Sequence, residues 1–139
     1  MDQTPRPWIV MIVDDDVLIR RAVTIYLSNR GYEVIGAANG SDCLAKLNAR
    51  MPDVILLDVM MPGMDGRETC RRIREFSGVP IILLTARAQE TDRAQGIAAG
   101  ANGYITKPMS LKEVEERVHA FLPSPASAST TNAPASTSP

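Results

Sequence analysis

The stretch Val54-Ile-Leu-Leu-Asp58 decides the fold of this chain. Its apolar residues follow one another without the alternation of a half-exposed strand, which is typical of a parallel sheet covered by helices on both faces. Further short apolar runs lie at Ile9–Val13, Glu33–Ala37, Ile81–Leu84 and Gly103–Ile105. Their onsets are 21 to 27 residues apart, as expected for strands that alternate with helices.

The segments between these runs carry helix signals. On the first helix, Leu18, Ala22, Ile25 and Tyr26 share one face at helical spacing, which indicates an α-helix. Gly31 follows as a C-terminal glycine. The chain therefore leaves its first strand through an amphipathic helix.

Four more helices are predicted to begin near Ser41, Gly66, Glu90 and Ser110. The last opens with Ser110 and Glu113 three residues apart, a capping box in which each side chain satisfies a backbone donor. Strands and helices in strict alternation predict an α/β fold, a doubly wound (βα)5 unit with helices on both faces of a parallel sheet.

The bulk composition fits one globular domain. The chain has 139 residues, of which 45% are hydrophobic and 22% charged, with a net charge of −1. A net charge this close to zero gives no overall positive electrostatic potential that would attract nucleic acid or an anionic membrane. No apolar run approaches the ~20 residues that span a bilayer, and the start lacks the pattern of a signal peptide, so we expect a cytoplasmic protein. Cys43 and Cys70 have no metal-type spacing and are interpreted as reduced packing residues.

Composition also divides the chain. Residues 8–122 are predicted to form the domain, and residues 1–7 a disordered N-terminal extension. Residues 123–139 are all Pro, Ser, Thr, Ala or Asn. Such a segment cannot bury enough apolar surface to offset the entropy of ordering it. We expect a disordered tail or a linker to a further domain.

Polar side chains follow four of the five strands. Asp14 and Asp15 follow the first strand, Asp58 the third, Thr85 the fourth, and Lys107 lies just after the fifth. Ligands of open parallel sheets bind beyond the carboxyl ends of the strands. In a sheet of order 2-1-3-4-5 these four strands are neighbours, so their polar side chains would converge at one edge.

The converging side chains predict a chemistry. Three carboxylates within a few ångströms, Asp14, Asp15 and Asp58, disfavour joint ionisation, and a hard divalent cation removes that conflict. Oxygen-only ligands suit Mg²⁺. The cation, Lys107 and the Thr85 hydroxyl could then surround a phosphoryl group, with Asp58 as its acceptor.

Four stretches carry a resemblance to a known family. They are Ile12-Val-Asp-Asp-Asp16, Leu57-Asp-Val-Met-Met-Pro-Gly-Met-Asp-Gly66, Leu84-Thr-Ala86 and Tyr104-Ile-Thr-Lys-Pro108. In order and spacing, the chain resembles the receiver domains of bacterial response regulators, the family of the chemotaxis response regulator, over residues 8 to 122. The resemblance implies a flavodoxin-like three-layer sandwich with the strand order 2-1-3-4-5.

The resemblance also implies roles at the phosphorylation site. Asp58 would be the phosphoacceptor. Asp14, Asp15 and Asp58, with the backbone carbonyl of Met60, would hold Mg²⁺. Lys107 would pair with the phosphoryl group, and the peptide bond from Lys107 to Pro108 would be cis.

A switch is implied as well. Thr85 would hydrogen-bond the phosphoryl group, and Tyr104 would move inward as Thr85 approaches it. The changed surface would be formed by the fourth helix, the fifth strand and the fifth helix. The variable positions Met60 and Arg87 flank the site, and we expect them to set the lifetime of the phosphoryl group.

The favoured function is a single-domain response regulator of a two-component phosphorelay. It would take a phosphoryl group from a sensor histidine kinase or phosphotransfer protein and control a protein partner, with no direct contact to nucleic acid or membrane. The resemblance also allows a homodimer. It would be a regulatory phosphoacceptor and not an enzyme, since it catalyses only its own phosphorylation and dephosphorylation.

Three alternatives stay open. The chain could be the receiver fragment of a larger multidomain regulator. The stretch Asp14-Asp-Asp16-Val17 resembles the D-x-D-x-[TV] signature of haloacid-dehalogenase-like phosphatases, in which Asp14 would be the nucleophile. A degenerate receiver that never takes phosphate is the third, although every matched position is present.

Overall fold

Five strands and five helices alternate along the chain. The structure is a computed structural model that describes residues 6–86 and 90–122. The strands are β1 (Ile9–Val13), β2 (Glu33–Ala37), β3 (Val54–Asp58), β4 (Ile81–Thr85) and β5 (Gly103–Thr106). The helices are α1 (Val17–Asn29), α2 (Gly40–Ala49), α3 (Gly66–Arg74), α4 (Glu90–Ala98) and α5 (Leu111–Ala120).

The strands form one parallel sheet in the order β2-β1-β3-β4-β5. The predicted fold class, strand order and (βα)5 alternation are therefore confirmed. β3 lies in the centre, with Leu57 beside Val13 of β1 and Leu83 of β4. This register brings the carboxyl ends of β1, β3, β4 and β5 to one edge.

Two apolar clusters hold the helices to the sheet. One lies under α2 and α3 and includes Met11, Leu57 and Ile73. The other lies under α1 and α5 and includes Leu27 and Ile105. Alternate residues of the central strands enter opposite clusters, which explains why these strands are apolar throughout.

Three strands, β3, β4 and β5, extend one residue past their predicted apolar runs, and two of them thereby include a predicted site residue. Asp58 is the last residue of β3, in register with Leu84, and Thr85 is the last of β4, in register with Thr106. Backbone pairing does not require an apolar side chain, so apolarity alone placed these ends one residue early. The two polar side chains are thereby held by the sheet and not by a loop.

The predicted helix α1 is confirmed, but the face whose spacing indicated it is largely exposed, with only Tyr26 packed against the core. Leu18 and Ile25 are 70% and 59% exposed, whereas Val23 and Leu27 are buried. The helix carries two adjacent apolar stripes, and helical spacing alone could not say which one meets the sheet. The exposed stripe is a surface of α1.

Side-chain caps fix where the helices begin. Asp16, Asn39, Asp65 and Ser110 each accept a hydrogen bond from a backbone N–H of the following turn. α2 therefore begins one residue earlier than Ser41. Within the described residues, the Glu113 side chain makes no return bond to Ser110, so the capping box is only half formed.

The remaining expectations concern the ends of the chain. Residues 123–139, the predicted tail, and residues 1–5 of the predicted extension lie outside the described residues. In the part of the chain that the structure describes, no helix is long and apolar enough to span a bilayer. Cys43 and Cys70 are both buried and reduced, as expected.

Candidate functional site

Three carboxylates meet at the carboxyl edge of the sheet. Oxygen atoms of Asp14, Asp15 and Asp58 lie within 4.8 Å of one another. Asp14 and Asp58 are 0% and 4% exposed, while Asp15 is exposed. One acid thus faces solvent and two are enclosed, which forms a pocket that opens at the sheet edge.

Lys107 pairs with both enclosed acids. Its Nζ donates to Asp14 Oδ2 at 3.0 Å and lies 3.3 Å from Asp58 Oδ1. The backbone fixes the lysine in turn, because Lys107 N donates to the carbonyl oxygen of Thr85 at 2.7 Å. The peptide bond between Lys107 and Pro108 is cis, as expected. The structure therefore brings the predicted lysine to the predicted acids.

Asp58 has an unusual acidity. Burial and the neighbouring charge of Asp14 raise the pKa of Asp58 to about 6, although Lys107 and the Met60 N–H act in the opposite direction. The Met60 N–H donates to Asp58 Oδ1 at 3.3 Å. One ammonium group is not enough to stabilise two enclosed carboxylates, and the site favours additional positive charge.

The donor set fits a hard divalent cation. With all three acids ionised, Asp14, Asp15 and Asp58 carry three negative charges against the single charge of Lys107, which leaves an excess of two. Burial lowers the pKa of Lys107, but the hydrogen bond and charge of Asp14 and the charge of Asp58 outweigh it, so that pKa lies above its ordinary value. Oxygen-only ligands with this excess suit Mg²⁺.

The loop after β3 passes tightly over the start of α3. Gly66 N donates to the Val59 carbonyl at 2.9 Å. A Cβ at Gly66 would overlap the carbonyl oxygen of Asp58 and lie 2.8 Å from Val59 Cα. The segment that holds Asp58 and Met60 therefore requires a glycine at this close approach.

Thr85 and Tyr104 line the same cavity between β4, α4 and β5. Tyr104 is half-buried and packs against the cluster under α2 and α3. The Arg93 guanidinium of α4 lies 4.6 Å from the centre of the Tyr104 ring. Arg67 of α3 pairs with Asp92 of α4 at 4.0 Å across this cavity. Sequence reasoning identified the threonine and the tyrosine but missed the charged residues around them.

Sequence reasoning also missed Arg20 of α1. Its Nη1 donates to the backbone carbonyl of Asp14 at 2.7 Å. Helical spacing treats an arginine in an amphipathic helix as solvent-facing, so no sequence signal pointed to this contact. Arg87, which was expected to flank the site, lies outside the described residues.

The family follows from comparison with known sequences. The family model of the response regulator receiver domain matches residues 10–119. The chain belongs to this family. The receiver domains act in two-component signalling, and the fold, the order of the motifs and the acidic pocket agree with that membership.

Curated relatives are longer than this receiver. The transcriptional regulatory protein ResD of Bacillus subtilis is 48% identical over 122 residues, which cover 88% of this chain and 50% of ResD. The probable transcriptional regulator ycf27 of Guillardia theta is 46% identical over 113 residues, which cover 81% of this chain and 44% of that protein. The chain thus spans about half the length of the curated relatives it matches.

A solved structure of similar size also matches. The chemotaxis protein CheY4 of Vibrio cholerae is 35% identical, with a TM-score of 0.79, and the match covers 84% of this receiver and 99% of that chain. The sequence itself departs from the phosphatase signature. That signature places Thr or Val two residues after its second Asp, where Leu18 stands, and Val17 is one residue too early.

Proposed function

We propose that this receiver accepts a phosphoryl group on Asp58 and thereby controls a protein partner. The observation that carries the proposal is the placement of Asp58 at the end of the central strand, inside a pocket with two further acids and one lysine. The donor would be a sensor histidine kinase or a phosphotransfer protein. The receiver would catalyse only its own phosphorylation and dephosphorylation.

In the transfer step an Asp58 oxygen attacks the donor phosphorus. The new O–P bond forms as the donor's bond to phosphorus breaks, and the electron pair leaves with the donor. Lys107, already 3.3 Å from Asp58 Oδ1, would stabilise charge on the phosphoryl oxygens. Asp14, Asp15, Asp58 and the Met60 carbonyl would hold Mg²⁺, which would neutralise the same oxygens when bound.

The signal would leave the site through Thr85 and Tyr104. Thr85 would hydrogen-bond the phosphoryl group, and Tyr104 would turn toward the cavity that both residues line. This movement would shift an existing equilibrium and change the surface of α4, β5 and α5. A protein partner would read that surface.

The context of the receiver has two candidate forms. The match to nearly all of CheY4 supports a receiver that acts as a single domain. The curated relatives ResD and ycf27 support the alternative, a receiver within a longer transcriptional regulator, which would bring DNA among its targets. The transcript that encodes the chain distinguishes them: an output domain in frame after residue 139 favours the longer regulator.

Intact mass spectrometry after incubation with acetyl phosphate and Mg²⁺ tests the phosphoacceptor. We expect wild type to gain one phosphoryl group, and Asp58→Asn to gain none. Asp16→Asn is the matched control, since it removes a neighbouring acid that caps α1, and Asn caps equally well. EDTA added beforehand should abolish the gain in wild type.

Two results would overturn the assignment. Phosphorylation of Asp58→Asn at the wild-type rate would move the acceptor to another residue, with Asp14 the first to examine. If neither acetyl phosphate nor a panel of purified histidine kinases labels wild type, the receiver does not take phosphate and the degenerate alternative holds.

A further inference from the structure

Arg20 crosses from α1 to the end of β1. Its Nη1 donates to the Asp14 carbonyl at 2.7 Å. The stem of the side chain lies along β2, because a Cβ built on Gly36 would be 3.8 Å from Arg20 Cδ. The guanidinium is therefore held under the β1–α1 loop, and the side chain is half-buried.

The carbonyl that accepts from Arg20 belongs to the peptide unit between Asp14 and Asp15, two of the three acids of the pocket. On the other side of the same residue, Asp14 N donates to the Ala37 carbonyl of β2 at 3.1 Å. Asp14 is thus fixed at both its N–H and its C=O. Rotation of the Asp14–Asp15 peptide would break the Arg20 bond, so this bond resists a backbone rotation that would carry Asp15 away from Asp58.

Arg20 is also tied to the loop by its own backbone. Its N–H donates to the Asp16 carbonyl at 3.1 Å, and the Asp16 N–H donates to Asp14 Oδ1 at 2.9 Å. The first turn of α1, the loop and the Asp14 side chain therefore form one connected unit. Outer partners of this kind orient ligands and commonly change metal affinity by about 10-fold or more when removed.

We propose that Arg20 is a positioning residue of the acid pocket, and that its bond to the Asp14 carbonyl orients Asp15 toward a divalent cation shared with Asp58. The inference deepens the proposed function and rests on its Mg²⁺ site. It competes with a simpler role in which Arg20 only supplies positive charge. The two roles predict opposite effects of removing Arg20 on the affinity for Mg²⁺. Loss of a positioning residue weakens binding, whereas loss of a nearby positive charge by itself strengthens the binding of a cation.

Isothermal titration of the full chain with Mg²⁺ alone tests the proposal. Arg20→Met is expected to raise the Mg²⁺ dissociation constant about 10-fold. Arg21→Met is the matched control, since Arg21 carries the same charge on the next residue of α1 and is exposed. Within residues 6–86 and 90–122 its side chain makes no hydrogen bond or ion pair. Arg21→Met should leave the dissociation constant within about twofold of wild type.

The possible results separate the two roles. Mg²⁺ binding by Arg20→Met that equals or exceeds wild type overturns the positioning role and leaves only a charge effect. Circular dichroism establishes that each variant is folded at the titration temperature. If Arg20→Met is unfolded, Arg20→Gln replaces it, because glutamine is also neutral and too short to reach the carbonyl. A raised Mg²⁺ dissociation constant then supports the positioning role, and an unchanged or lowered one overturns it.

The wild-type titration separates this inference from the proposed function. If wild type binds no Mg²⁺, the metal site itself fails and both proposals fall. If wild type binds Mg²⁺ and Arg20→Met binds it equally well, the phosphoacceptor proposal stands and only the positioning role is lost.

Discussion

At the scale of single residues, the fold disfavours the ionised form of Asp58. The structure encloses it beside Asp14 and raises its pKa to about 6 from an ordinary value of 3.8. Because Asp58 binds a proton more tightly in the folded state than in the unfolded state, its contribution to the free energy of unfolding falls as pH rises through this interval. The proposed function of Asp58 therefore opposes the stability of the fold, and the cost in stability can be measured.

We predict that Asp58→Asn raises the free energy of unfolding at neutral pH by about 2 kcal/mol in the presence of EDTA. The amide removes the cost of an enclosed charge. The gain should shrink as pH falls from about 6 to about 4, since wild-type Asp58 is then protonated. Urea unfolding at several pH values across this range measures the difference in the free energy of unfolding between variant and wild type, with Asp16→Asn as control. A gain that does not vary with pH would contradict the electrostatic cause.

Gly66 is the second residue with a measurable consequence. We predict that Gly66→Ala destabilises the domain by about 3 kcal/mol, because the new Cβ would overlap the backbone at Asp58 and force the loop to move. Gly78→Ala is the matched control, because nothing lies within 4 Å of its Cβ. Equal urea midpoints for the two variants would show that the close approach is not needed.

At the scale of elements, helix caps were easier to predict than helix faces. Ser110 caps α5, and its hydroxyl accepts from the Glu113 N–H at 3.0 Å. A cap depends on neighbours in sequence, whereas the buried side of α1 depends on how the helix meets the sheet. Local chemistry therefore predicted where α5 begins, but the choice between the stripes with Leu18 and Val23 needed tertiary packing.

We predict that Ser110→Ala lowers the free energy of unfolding by about 1 kcal/mol, the usual cost of a lost cap. Glu113→Ala should change it by less than about 0.5 kcal/mol, since the glutamate side chain does not complete the capping box in the described structure. Chemical unfolding of both variants measures the difference. A larger loss of stability in Glu113→Ala would show that the box closes in solution.

At the scale of the whole molecule, the alternation of strands and helices followed from the sequence, whereas the strand order came from the resemblance to receivers. The apolar runs say that strands exist but not which ones are neighbours. Convergence of Asp14, Asp58 and Lys107 required that order. The Arg20 contact could not be predicted, because it depends on the path of one side chain across β2.

The two cysteines report on opening of the whole domain. Burial raises the pKa of Cys43 to about 12, and the charge of Asp42 adds to it. Burial also raises the pKa of Cys70. We predict that neither thiol reacts with Ellman's reagent in the native receiver at neutral pH, and that both react in denaturant. Fast reaction of one thiol in native buffer would reveal a local opening of α2 or α3.

The contact between Lys107 and Asp14 joins residues that are 93 positions apart in the chain. During synthesis, Asp14 and Asp58 leave the ribosome well before the lysine that pairs with them. A nascent chain that ends before β5 therefore has the acids but not the completed pocket, and the proposed phosphoacceptor site is complete only when the last strand joins the sheet.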